Sequence, residues 1–152
     1  MKTKTQYVLG FLFNKAKTQV VLIEKKRPQW QTGLLNGVGG HIEEHETRCQ
    51  AMSREFQEEA GVAVPMSVWH EYCNMAGSNF EVTCFMATDT ALFNLAHTVS
   101  DERIVKVNLL ELGRLPSISG LQWLIPMALD DNAGNSFYAV VRYGPQENPT
   151  AR

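Results

Sequence analysis

The stretch Gly39–Val62, GGHIEEHETRCQAMSREFQEEAGV, decides how the chain is read. It consists of a glycine pair, a short loop and one helix dense in carboxylates. Thr47 followed three residues later by Gln50 is a capping-box pattern, so the helix is expected to start there. Gly61 is the left-handed stop expected at its end. No proline or glycine interrupts the run between them. Cys49, Met52 and Phe56 recur at helical spacing and form an apolar stripe suited to a core. Beside that stripe Glu55, Glu58 and Glu59 stand at i, i+3 and i+4, within an arc of roughly 100°.

Three helical glutamates by themselves are more often a solvated face than a site, because glutamate is a good helix former. Two neighbours favour a site. Arg54, four residues before Glu58 and next to Glu55, can brace carboxylates that would otherwise repel. Gly39 and Gly40 let backbone carbonyls come close to a ligand. Hard oxygen donors of this kind suit Mg²⁺ or Mn²⁺, which bind together with substrate phosphates. The chemistry points to a divalent-metal site for a phosphorylated substrate.

The spacing is also specific. Gly40, Glu46, Arg54-Glu55-Phe56, Glu58-Glu59 and Gly61-Val62 stand at intervals that resemble the signature of the Nudix hydrolases, with every fixed position filled. Upstream, KKR at 25–27, a loop with Trp30, and NGVGGHIE at 36–43 are similar to the MutT-type branch, which clears oxidised purine nucleoside triphosphates. The resemblance implies a mixed sheet between helices, an α/β/α sandwich with a loop–helix–loop catalytic motif. It implies that Glu55, Glu58 and Glu59 hold Mg²⁺ or Mn²⁺ with the carbonyl of Gly39, while Arg54 and Glu46 orient carboxylates and loop. Glu102 matches a glutamate that many members supply from a later loop, as a further metal ligand or base. The implied reaction is metal-assisted attack of water on a phosphorus, a triphosphate giving monophosphate and pyrophosphate. His41 and His45 depart from the residues common in relatives, lysine and glycine. His45 therefore raises the question of positive φ at a non-glycine residue.

Outside this stretch the chain is less informative. Its 152 residues suit one domain with a sizeable core, taken here as 1–144, followed by a polar tail at 145–152 expected to be disordered. A formal charge of −2 gives no electrostatic reason to expect nucleic acid or an anionic membrane as partner. Three cysteines without a C-x-x-C pair make neither a disulfide framework nor a zinc knuckle, and suit a reduced, cytoplasmic protein. The apolar run Tyr7–Phe13 is too short to span a membrane and, short, broken by Gly10 and without a small-residue cleavage site, makes a poor signal peptide.

In chain order, strands are expected at Tyr7–Phe13, Val20–Glu24, Asn79–Thr88, Ile104–Asn108 and Phe137–Tyr143. Val62–Val64 and Val68–Ala76 could add strand residues. Asp89–Ser100 lacks periodicity and reads as loop, and Leu121–Leu129 as a buried helix with Pro126 in its first turn or at a kink. Lys25 and Lys26 leave a strand end and are either a solvated edge or phosphate binders. Trp30 is either a packing plug or a stacking platform for a base. Asn36 is either a turn residue or a reader of a base edge, and Gly40 lies at the expected substrate.

The favoured expectation is a nucleoside triphosphate pyrophosphohydrolase acting on a small nucleotide. ADP-ribose, a dinucleoside polyphosphate or an RNA 5′ end are other substrates for the same chemistry. A nucleotide sensor on the same fold would be expected to lose ligand glutamates, and this chain keeps them all.

Overall fold

Strand β1 (Thr5–Phe13) sorts the molecule into two cores. Its side chains alternate with the period of a pleated strand: Val8 and Leu12 enter one apolar cluster, Phe11 and Phe13 the other. The next strand, β2 (Gln19–Glu24), does the same with Val21 and Ile23 against Val20 and Leu22. Strands buried on both faces read as continuous apolar runs, which is how these two look in the sequence. The computed structural model describes residues 3–130 and 139–144.

After β2 come β3 (Leu35–Asn36), β4 (Val38–His41), α1 (Arg48–Ala60), β5 (His70–Ala76), β6 (Phe80–Thr88), α2 (Thr90–Leu95), β7 (Arg103–Asn108), α3 (Leu121–Ala128) and β8 (Ala139–Arg142). Among the described residues the eight strands form one mixed sheet, ordered β3-β2-β1-β6-β5-β8. β1 runs parallel to β6 from Thr5 opposite Phe80 to Phe13 opposite Thr88. Its other edge is shared: it meets β2 at Phe13 and Val20, then pairs antiparallel with β4 from Gly10 to Tyr7. β2 turns instead to β7 and β3. The sheet thus opens between β1 and β2, and β4 is held at the opening.

Helix α1 covers one face, burying Ala51, Met52, Phe56 and Ala60. Trp69 meets Phe56 edge-on, with ring centroids 5.4 Å apart. α3 covers the opposite face through Leu121, Leu124 and Ile125. The result is the expected three-layer arrangement of helix, sheet and helix.

Several local expectations change. Residues 89–100 are not all loop: Asp89 caps α2 by accepting from Leu92 N, and Phe93 is its buried anchor. Val62–Val64 has the alternation of a strand but, among the described residues, no strand partner; Val62 and Val64 are buried just after the end of α1. α3 is only half buried, with Gln122 and Pro126 exposed and the proline in the second turn on the solvent side. Of the strand expected at Phe137–Tyr143, Ala139–Arg142 forms β8, while 137–138 lie outside the described residues. The expected tail, 145–152, lies outside them as well.

Candidate active site

The site begins with the frame of α1. Thr47 Oγ1 accepts from Gln50 N at 3.1 Å and Gln50 Oε1 from Thr47 N at 2.8 Å, closing the capping box. Gly61 ends the helix at φ 73°, in the left-handed region that favours glycine. Two residues before the cap, His45 takes φ 68°, so the loop does hold a non-glycine residue in that region.

Arg54 is the hub. Its Nε and Nη2 grip the two oxygens of Glu46 at 3.0 and 2.7 Å in a bidentate fork. Nη2 also donates to the His41 carbonyl at 2.9 Å, and Nη1 reaches Glu55 at 3.0 Å and Glu58 at 3.2 Å. All five guanidinium N–H donors are thereby used. Glu46 in turn accepts from Glu43 N at 2.8 Å, tying the loop to the helix. The hydrogen bonds from Arg54 hold the Glu46 carboxyl below the usual carboxylate range.

The three glutamates Glu55, Glu58 and Glu59 of α1 differ in surroundings. Glu58 is 58% exposed at the side chain and touches Arg54. Burial pushes the Glu55 carboxyl up, and Arg54 only partly offsets this. Burial also pushes Glu59 up, to about 7, against the positive charge of Lys25 and a hydrogen bond from the Gly39 N–H. One of its oxygens, Oε2, is buried with no hydrogen-bond partner among the described residues. A buried carboxylate oxygen left bare is costly, which marks this atom as one that awaits a partner.

The two glycines ahead of α1 serve different purposes. A Cβ on Gly39 would stand 2.0 Å from the Val8 carbonyl oxygen, so this residue is glycine because β4 lies so close to β1. A Cβ on Gly40 would stand 2.5 Å from Glu55 Oε1, so here the neighbour is the carboxylate itself. Gly39→Ala should therefore cost about 3 kcal/mol of stability, read as a lower urea midpoint, since the backbone it strikes cannot turn aside. Gly40→Ala should keep stability within about 1 kcal/mol of wild type, because a side chain can swing away, yet displace Glu55 and lower turnover.

The remaining candidates fall around this centre. Lys25 Nζ lies 3.2 Å from Glu102 Oε1, with its side chain 16% exposed. Lys26 has an exposed side chain, but its N–H donates to Glu102 Oε2 at 2.7 Å. Trp30 lies in a short 3₁₀ turn, Gln29–Gln31, and is 52% exposed, so it is no packing plug. Asn36 is half-buried; its Oδ1 accepts from Gly37 N at 2.8 Å and its Nδ2 donates to Gln31 Oε1 at 3.2 Å. Gln31 escaped the sequence reading: it meets Asn36 only because the chain turns back at Gly33, φ 81°. Beside β3, Ile118 N donates to Leu35 O at 2.9 Å, which brings the Pro116–Ile118 segment next to Asn36.

Among the described residues no three His, Cys, Asp or Glu side chains already converge as a cage for a metal ion. Arg54 occupies Glu55 and Glu58, and the guanidinium stands where their charges would otherwise repel. The donor chemistry nonetheless suits a hard cation: carboxylates on one helix face and one bare buried oxygen on Glu59.

Comparison with known proteins agrees with this layout. The NUDIX domain family model matches residues 3–140. A MutT protein from work on Aliivibrio salmonicida and Vibrio cholerae superposes with a TM-score of 0.66 at 19% identity, over 82% of this chain and 95% of that one. A mutator MutT protein from Bacillus halodurans gives 0.69 at 18% identity, covering 93% and 91%. The NUDIX domain of Shewanella oneidensis NrtR, complexed with ADP ribose, gives 0.69 at 18% identity, covering 84% and 88%. No curated protein sequence matches the chain closely. At such identities the structural likeness carries the fold, and the family model carries the membership. With the glycine pair, the capped helix and its Arg54-braced glutamates in place, the chain belongs to the Nudix hydrolase family.

Proposed function

We propose that the chain is a Mg²⁺-dependent nucleoside triphosphate pyrophosphohydrolase of the MutT type, releasing a nucleoside monophosphate and pyrophosphate in the cytoplasm. The observation that carries the reading is the layout of one segment. Asn36, at one end, offers an amide, and Gly40, four residues on, packs against the Glu55 carboxylate. Four residues of extended chain span about 13 Å, enough to set a base at one end and phosphates at the other. Glu55, Glu58 and Glu59, with the Gly39 carbonyl, would hold the cation, Mg²⁺ or Mn²⁺. When bound, the cation supplies neutralisation of phosphate charge and a more acidic attacking water. Glu58 is exposed and turns readily, while Glu59 keeps its bare Oε2 on the same helix face. Lys25 and Lys26 bring positive charge to the polyphosphate, and Trp30 offers an exposed ring for stacking.

A second reading, ADP-ribose hydrolysis, draws on one observation: the Shewanella Nudix domain of like fold is seen with ADP ribose. The products separate the two. Incubation with Mg²⁺ and a panel of oxidised and normal nucleoside triphosphates, ADP-ribose and dinucleoside polyphosphates, followed by chromatography, should show monophosphate and pyrophosphate from a triphosphate. AMP and ribose phosphate as the dominant products would replace the first reading by the second.

Asn36 supplies the specificity test. Its loss should cost about 1–3 kcal/mol against the matching base and little against others, roughly a 5- to 150-fold fall in kcat/KM for that nucleotide. A uniform fall across the panel after Asn36→Ala would make Asn36 a turn residue, and the neighbouring Ser117–Gly120 segment the place where the base is read.

A further inference from the structure

Glu102 is one of two buried polar or charged side chains among the described residues, 3% exposed. The pairing of β7 with β2 puts Arg103 opposite Glu24, so Glu102 meets the residues that leave β2. Its Oε1 lies 3.2 Å from Lys25 Nζ and 3.5 Å from Arg27 Nη1. Its Oε2 accepts from Lys26 N at 2.7 Å and from Arg27 N at 3.4 Å. Outside the carboxylate, Asp101 pairs with the Arg27 guanidinium. A carboxylate has about four lone-pair sites; three here accept hydrogen bonds, from Lys25 Nζ and from the Lys26 and Arg27 N–H groups, and the Arg27 guanidinium stands beside Oε1 as an ion pair. Glu59, with its bare Oε2, is the opposite case.

A metal ligand or a proton acceptor needs a lone pair to give; both oxygens of Glu102 are already engaged by N–H groups and cations, whereas Glu55 and Glu58 each meet Arg54 through one oxygen. Lys25 does have capacity left. Its ammonium carries three N–H donors, and Glu102 takes one. Its charge also acts on Glu59 of α1.

We propose, resting on the nucleotide reading above, that Glu102 is a positioning residue: it pins the Lys25–Lys26–Arg27 segment so that the Lys25 ammonium is presented to the substrate's phosphates, and it neither ligates the metal nor accepts the proton. Burial raises the cost of an ionised Glu102, but the Lys26 N–H and the Lys25 charge outweigh it and keep the carboxyl below its ordinary range. The group stays charged, as an anchor for the cations around it needs.

The test compares Glu102→Gln with wild type in three ways. Without nucleotide or metal, hydrogen exchange at the Lys26 and Arg27 amides should speed up at least tenfold, because a glutamine that keeps one oxygen acceptor must turn its NH₂ toward a donor. Mn²⁺ affinity of the nucleotide-free protein, read by electron paramagnetic resonance, should stay within about twofold. KM for the cleaved nucleotide should rise roughly tenfold or more, with kcat far less affected. Glu102→Gln placed on Lys25→Ala should add little to the KM of Lys25→Ala alone, since both remove the same link. A tenfold loss of Mn²⁺ affinity, a fall in kcat at unchanged KM, or additive effects in the double variant would overturn the proposal. Should Glu102→Gln fail to fold, Glu102→Asp, which keeps the charge and shortens the reach, carries the same three readouts. If wild type cleaves no nucleotide, the function proposed above fails, while the exchange and Mn²⁺ measurements still decide the role of Glu102.

Discussion

Glu58→Gln should leave a folded protein with at most about one per cent of wild-type turnover. The side chain is 58% exposed and its partner is Arg54, at 3.2 Å, so the substitution opens no cavity and strands no buried group. Surface changes of this kind usually alter stability by less than about 0.5 kcal/mol. Glutamine keeps the size and one oxygen, but removes the charge that would draw a divalent cation under the proposed function. Changing a group that merely orients a metal ligand costs about 10- to 100-fold, so losing a ligand's charge should cost at least the upper end. Turnover is measured at saturating Mg²⁺ beside a thermal melt of the same sample. Near wild-type rates would remove Glu58 from the metal site. A large fall in melting temperature would mean that the helix, and not the site, had been damaged.

The elements legible in the sequence are those with local causes. The start of α1 depends on Thr47 and Gln50, and its end on Gly61, all within a turn of the boundary they set. The gathering of Glu46, Glu55 and Glu58 around Arg54 follows from helical spacing plus one loop contact. α2 was hidden because its six residues are too short to show a period, although Asp89 before Thr90 was a usable capping signal. Val62–Val64 misled for the converse reason: alternation expresses burial on one side, and a strand also needs a partner. Glu102 could be placed near the site from its motif but not read. Its satisfaction depends on β2 and β7 lying side by side, a register set across nearly eighty residues of sequence. The Gln31–Asn36 contact is short in sequence yet needs the positive φ of Gly33, which no periodicity reveals.

Arg54→Ala should cost both activity and stability, and the two losses have one cause. The guanidinium makes five hydrogen bonds at 2.7 to 3.2 Å, joining the loop through Glu46 and His41 to the helix through Glu55 and Glu58. Alanine leaves the carboxylates of Glu46 and Glu55, 15% and 12% exposed, near each other without a cation between them. Stranding charges in this way costs several kcal/mol when burial is complete; partial solvation brings the expected loss to about 2–3 kcal/mol. For a chain of this size that is a fall in melting temperature of roughly 5–10 °C. The sign of the pH dependence follows from Glu46. Its folded carboxyl lies below its unfolded value because Arg54 is present, so the stability it contributes is present above the unfolded pKa and is lost as pH falls through the folded one. The gap between wild type and Arg54→Ala should therefore narrow in acid. Arg54→Lys should fall between them, since an ammonium keeps the charge but cannot form the fork on Glu46. Thermal melts of the three proteins at neutral and acid pH, beside turnover at neutral pH, make the measurement. A lysine variant equal to wild type would show that charge alone suffices and that the bidentate geometry has no role. A gap that stays constant into acid would show that packing of the Arg54 stem, and not its carboxylate partners, holds the loop to the helix.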